Sequence, residues 1–469
     1  MSGETVFETA TYISSPTEIQ LKSREVSVIE SVDVKGSHPP RLSEAFDRVL
    51  KRTEVELLIR RFLEPTDTQN SNVDLVKYHL RPYSTEKIGF LGSHLCLVAQ
   101  IRTANRDESA PEENREISFF VKTLPWDVPS QAAYIEEKGC FKKEAQFYER
   151  LVPLMMRKYK GTQWLPNCYF VKPNVLVLED LKVRGFAPRP RQLFDEKTAR
   201  AAMACLARLH ASSLLAEEQL DGKNLGEVFP ELVRESEYKR NGRCYEWYSN
   251  AMDLAVYLAR RDFGFSEDSC KTILSASKAV LDLALPSTTK RNVLSHGDIW
   301  SSNLLFNDSK VDLEDDLQAL LVDVQLTRYS PLAHDPVQLL HLTTSRSFRE
   351  EKQKAMLEYY HACLIETLKM SSYEGKVPEL EEVMQGAEEQ KYPAVVAAAI
   401  FLPTVLMDGK TGAKIMDNTD SYEHYYFRDR KPFVDEIMSR DEEYAQRLRE
   451  TFRELAELSL IADTLPRLT

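Results

Sequence analysis

The stretch SHGDIWSSNLLF, Ser295 to Phe306, is answered by LLVDVQ, Leu320 to Gln325, and together they decide how this chain is read. The first offers Asp298 and, five residues on, Asn303; the second offers Asp323 at the end of an apolar run. Phosphoryl transfer uses three such groups in different jobs: an aspartate that orients an acceptor hydroxyl and takes its proton, an asparagine on magnesium, and a second aspartate that bridges metal and nucleotide phosphates. Leu304 to Phe306 reads as a short strand, Asn307 to Asp316 as an acidic hairpin tip, and Leu320 to Val322 as the returning buried strand. Such a hairpin brings Asn303 and Asp323 together. Magnesium needs that convergence, because it takes few protein oxygens and keeps the rest of its shell for water and phosphate. Asp and Asn also cap turns, so the reading rests on the set of three together with partners upstream.

Those partners lie in a region of strands, Asp74 to Leu80, Leu95 to Arg102 and Ile117 to Leu124, with an extended segment around Ile88 and a polar loop from Thr103 to Arg115. An antiparallel sheet is expected, with an amphipathic helix from Arg41 to Leu63 packed on it. Lys122 interrupts the apolar run SFFVKTLP, where a strand lysine reaches nucleotide phosphates. Gly89, Gly92 and Ser93 offer a turn that could cover those phosphates. A helix from about Ala132 to Val152, broken or restarted at Pro153, turns Phe141, Phe147, Tyr148 and Leu151 inward. Glu144 shares that face and is chosen as the partner of Lys122, while Glu136, Glu137 and Glu149 fall on the solvated side. VLVLEDL then leads into the proline-rich KVRGFAPRPRQ and reads as a hinge. Its edge backbone, Leu178 to Leu181, is placed to hydrogen-bond an adenine ring, with Glu179 and Asp180 shaping the turn.

Everything after the hinge is mainly helical. Asp195 or Thr198 opens a helix whose stripe holds Ala199, Met203, Leu206, His210 and Ser213, with His210 read as a hydrogen-bonded core histidine. Further helices are expected over Tyr245 to Arg260, Ser266 to Leu285, Pro336 to Leu342, Arg349 to Met370, much of Glu379 to Met407, and Pro432 to Ile461. The apolar run Tyr392 to Met407 is short of a bilayer span and carries Pro393 and Pro403, so it reads as a buried, interrupted helix.

At 469 residues, 43% hydrophobic and 29% charged, the chain is ample for two lobes. Its net charge of -12 gives no basic footprint for nucleic acid. Seven cysteines without a CxxC pair suggest neither a disulfide framework nor a zinc site and fit a reducing, cytoplasmic setting. No secretory signal opens the chain and no membrane partner is expected.

The order of these parts, with HGDIWSSN, then VDVQ and a continuation through Arg328, Tyr329, Pro331 and Asp335, resembles the ecdysteroid kinase-like family of arthropods, within the wider group of choline kinases and aminoglycoside phosphotransferases. The likeness spans about Arg41 to Ile461, and neither the HRD nor the DFG of protein kinases is present. It implies an α+β, bilobal protein kinase-like fold: an extension over 1–40, a small antiparallel-sheet lobe over 41–178 and a large helical lobe over 179–469. It implies ATP and Mg2+ as cofactors, Asp298 as base, Asn303 and Asp323 as metal ligands, and Lys122 with Glu144 on the phosphates. On the turn and hinge readings above, Ser93, Leu178, Glu179 and Leu181 would touch nucleotide; the resemblance implies that His296 would brace the loop and that Asp335 would tie it to the next helix. The implied acceptor is a hydroxyl on an ecdysteroid or xenobiotic. An amino alcohol or aminoglycoside acceptor, and a silent nucleotide- or ligand-binding member, stand as alternatives. Trp247, Tyr245, Tyr248, Phe263 and Phe265 could line an acceptor site, though such aromatics more often serve a core.

Overall fold

A computed structural model describes residues 49–63, 72–85, 92–104, 113–283, 285–308 and 317–466. The N-terminal extension, the segment at Ile88 and Gly89, and most of the hairpin tip lie outside them. The chain forms two compact units: 1–81 with 96–119, and 82–95 with 120–469. The second takes in the Lys122 to Leu178 stretch that the sequence reading grouped with the sheet lobe.

In the first unit the helix Arg52–Leu63 turns Val55, Leu58 and Ile59 inward, and Phe62 meets Phe119 edge-on at 5.2 Å. The strands Asn72–Pro82, Ser93–Ala104 and Glu113–Thr123 are sheet neighbours in sequence order. The expected helix from Arg41 is corrected within the described residues: Leu50 and Lys51 are not helical. Lys51 instead caps a fresh start, its N–H donating to Glu54 Oε2 at 2.7 Å.

The second unit is mainly helical, with several short strands. Cys168–Lys172 pairs antiparallel with Val175–Glu179. Leu304–Asn307 pairs with Gln318–Leu321, Leu304 facing Leu321, which is the expected hairpin. The hinge sequel adds an unforeseen strand, Phe186–Pro188, along the other edge of Leu304–Asn307. Glu196–Glu217 is capped by Asp195 and packs against Arg346–Met370, while Leu380–Val405 packs against His334–Thr343 and Glu442–Leu460. The α+β class, strands concentrated early and helices late, is therefore as expected.

Four helix boundaries differ. The segment expected from Ala132 to Val152 breaks at Gly139, whose φ of 74° ends Pro129–Lys138 and begins Cys140–Gln146. It then passes through the π-helical turn Phe147–Leu151, and Pro153 sits in the first turn of Val152–Met156, where its missing N–H is tolerated. The run with Pro393 and Pro403 is not interrupted: Leu380–Val405 is continuous. Burial of Val395, Val396, Ala399, Ile400 and Leu402 outweighs the lost backbone bonds. The last segment splits into Lys431–Arg440 and Glu442–Leu460 because Asp441 caps the second through Tyr444 N–H. Ser266 to Leu285 likewise divides into Glu267–Ser277 and Val280–Leu283.

Candidate active site

The break at Gly139 gives the helix Cys140–Gln146 its own direction, and that helix packs on the turn Val324–Leu326. Glu144 is thereby carried beside Asp323. Lys122 Nζ lies 2.6 Å from Glu144 Oε2 and 2.5 Å from Asp323 Oδ1, joining groups 22 and 201 residues away. Burial pulls the Lys122 ammonium down, but the two carboxylates outweigh it and hold it above the ordinary lysine range. Glu144 moves the other way, up to about 7, first by burial and then by Asp323 against the pull of Lys122. One ammonium thus serves two carboxylates. Glu136, Glu137 and Glu149 are exposed, as the helical phase implied.

Asp323 has a φ of 65°, a left-handed backbone that costs a residue with a Cβ about 1–2 kcal/mol. It follows the strand Gln318–Leu321, and Val322 N–H donates to Asn303 O at 3.0 Å, closing the hairpin at its root. Asn303 Nδ2 donates to Asp298 O at 2.8 Å and Asp298 Oδ2 at 3.2 Å. Asp298, Asn303 and Asp323 therefore come together around one hairpin root and one loop.

That loop is held from behind. Asp335 accepts from His296 N–H at 2.6 Å and Gly297 N–H at 3.1 Å, and its Oδ2 lies 3.2 Å from His210 Nε2. Despite burial, the three neighbouring histidines, His210 foremost, keep its carboxyl well below the usual range. His210 also meets Tyr360 Oη at 2.6 Å, the core role the sequence suggested. His296 spans the site, Nε2 meeting Val322 O at 2.9 Å and Nδ1 taking Asp298 N–H at 3.3 Å. Burial lowers its pKa, so it stays neutral with its proton on Nε2. Gly297 has a φ of 78°, and a Cβ there would run into Leu326 O and the Arg328 guanidinium. Arg328, buried, donates to Gly297 O at 2.9 Å and pairs with Glu235 at 2.5 Å.

Two cavities meet at Asp323. One is mostly apolar and joins Lys122, Glu144, Asn303 and Asp323 to Tyr83, His94, Phe120, Leu178, Glu179 and Leu181. Gly92 abuts this wall, its Cβ position 3.5 Å from Lys122 Cε. His94 lines the cavity and Ser93 does not, as alternation along a strand requires. Glu179 bonds Asn167 and Arg184, while Asp180 accepts from Tyr83 Oη at 2.8 Å. The second cavity, about 50 Å³, joins Asp298 and Asp323 to Lys138, Glu237 and an aromatic wall of Tyr134, Trp247, Trp300, Phe401 and Tyr426.

A profile of the ecdysteroid kinase-like family matches residues 95–373, more than half of the 469-residue chain. The chain belongs to the ecdysteroid kinase-like family. No curated protein sequence matches it. Among solved structures it is similar to an ethanolamine kinase of Plasmodium vivax, at 11% identity and a TM-score of 0.36, covering 81% of this chain and 85% of that one. It is also similar to the choline kinase LicA of Streptococcus pneumoniae, at 10% identity and a TM-score of 0.37, covering 86% and 99%. A microcompartment-associated aminopropanol kinase gives 12% identity and a TM-score of 0.40, covering 88% and 99%.

In this ecdysteroid kinase-like chain the structure brings Lys122, Glu144, Asp298, Asn303 and Asp323 together, with surroundings that the sequence does not reveal. Of the aromatics proposed for an acceptor wall, Trp247 lines the second cavity, while Tyr248 is core and Tyr245, Phe263 and Phe265 pack against it. Tyr134, Lys138, Glu237, Phe401 and Tyr426 were not singled out. Trp300 stood in the quoted motif, the one available signal. Among the described residues no cluster of three or more His, Cys, Asp or Glu forms a self-sufficient metal site.

Proposed function

We propose that the protein transfers the γ-phosphate of ATP to a hydroxyl of a small molecule. The observation that supports this most directly is the position of Asp323. It is shared by a cavity holding Lys122 and a cavity holding Asp298, the arrangement in which donor phosphate and acceptor hydroxyl meet across one carboxylate. In this reading the apolar cavity takes the nucleotide, its base against Leu178 to Leu181 and its phosphates on Lys122, which Glu144 holds in place.

Asp323 and the side-chain oxygen of Asn303 are hard donors, and Asp323, 20% exposed and already against an ammonium, accepts a cation there; the set fits magnesium. When bound, that ion would neutralise phosphate charge. Asp298 takes the acceptor proton, held by Asn303 and the His296 loop. Burial, then Asp323 and Glu237, push its carboxyl up to about 7, a value suited to a base working near neutrality. Little covalent work is left to the protein; positioning and charge do the rest.

Family membership supports an ecdysteroid or xenobiotic alcohol as acceptor; the aromatic wall suits a flat, weakly polar molecule, for which the cavity of about 50 Å³ must widen. The test is magnesium-dependent ATP consumption against ecdysteroids, plant phenols and glucosides, and amino alcohols. Asp298→Asn should lower turnover by about 10²–10⁴ with nucleotide binding nearly intact. Equal turnover in mutant and wild type would remove the assignment.

A further inference from the structure

Beside Asp298 lies a charged pair whose only part in the transfer just described is the push of Glu237 on the Asp298 carboxyl. Lys138 ends the helix Pro129–Lys138, and its ammonium meets Glu237, from the loop after Pro230–Val233, with side chains 1% and 3% exposed. Both line the cavity that holds Asp298. The Lys138 ammonium lies 5.4 Å from the Tyr134 ring centre and 5.8 Å from that of Trp247, and both rings are walls of the same cavity. A carboxylate with two aromatic faces is how proteins cage an amine ligand. Here the cage is filled by the chain's own ammonium.

Resting on the transfer reading above, we propose that the Lys138–Glu237 pair sets the charge specificity of the acceptor cavity, admitting neutral hydroxyl compounds and excluding amines. The internal ammonium occupies the place a ligand cation would take and repels a second one. The charge of Glu237 is offset by Lys138 at the place where a ligand cation would sit. A buried ion pair is weak support for stability on its own, and exclusion of a wrong ligand by a like charge is a common source of specificity.

The test compares dissociation constants of two phenols of matched size, neutral 4-ethylphenol and cationic tyramine, by calorimetry on the full chain. Wild type should favour 4-ethylphenol. Lys138→Met, which frees the Glu237 carboxylate, should shift the preference toward tyramine by at least about tenfold, the low end for coupling between close charges. Lys138→Met with Glu237→Gln, neutral again, should return to the wild-type ratio, which loss of packing alone would not produce. Should Lys138→Met fail to fold, Glu237→Gln provides the opposite shift, toward the anionic 3-(4-hydroxyphenyl)propionate. Unchanged ratios in folded variants, or no binding of any of these phenols, would overturn the proposal. ATP consumption measured alongside is an independent readout: its absence would remove the transfer reading, whereas intact turnover with unmoved ratios would remove only the role of the pair.

Discussion

Asp298 is asked to be both buried and ionised, and its consequences can be measured at that one residue. Its carboxyl stands at about 7 rather than the ordinary 3.8, so kcat/KM should fall tenfold per pH unit below about 7. Raising magnesium should move that inflection downward, because positive charge at Asp323 favours the ionised form. The effect on stability has the opposite sense. A folded pKa above the unfolded one means that the native state holds the proton more tightly, so stability is lost as pH rises from about 4 to about 7. Asp298→Asn should therefore be more stable than wild type at pH 8, by on the order of 4 kcal/mol, with the gain fading toward pH 4. Urea melts at the two pH values would show it, and an equal gain at both would contradict it. Asp298, Asn303 and Asp323 were legible because each breaks an apolar pattern at a strand end. Lys138 and Glu237 were not, since a pair formed between the end of one helix and a distant loop leaves no periodic trace.

At the scale of elements, the loop from His296 to Asn303 depends on what stands behind it. Asp335, at the start of His334–Thr343, accepts two backbone N–H groups from the loop and faces His210. Asp335→Ala would leave all three without their acceptor in a dry interior, a change that costs about 1–3 kcal/mol for each buried donor left unpaired. Chemical denaturation should show that loss, and one below 1 kcal/mol would mean that water replaces the carboxylate. The hairpin Leu304 to Leu321 was readable from sequence because its apolar runs flank a polar tip. The breaks at Gly139 and Asp441 were not, because both lie within continuous helical periodicity and are decided by a left-handed turn and a cap. Glu144 was assigned correctly to the inward face because Phe141, Phe147 and Tyr148 fix the phase after Gly139.

For the molecule as a whole, all the candidate site residues belong to the unit of 82–95 and 120–469. Ligand binding stabilises what it touches, by about 2.7 kcal/mol at a hundredfold excess over Kd. MgATP should therefore slow hydrogen exchange at Leu178 to Arg184, Ser295 to Asn303 and Val322, and ATP with a chelator should do so much less. Uniform protection with or without magnesium would count against Asp323 as a metal ligand. Among the described residues no single helix is long and apolar enough to cross a membrane.

The separation of Lys122 from Asp323, 201 residues, also sets an order in time. At about 5–20 residues per second of synthesis, the lysine leaves the ribosome about 10–40 s before the aspartate. During that interval Lys122 and Glu144 can meet as a balanced pair. The newcomer then turns a neutral contact into an anionic one ready for a cation, so a nascent chain acquires its charge for chemistry only once the aspartate has followed the lysine.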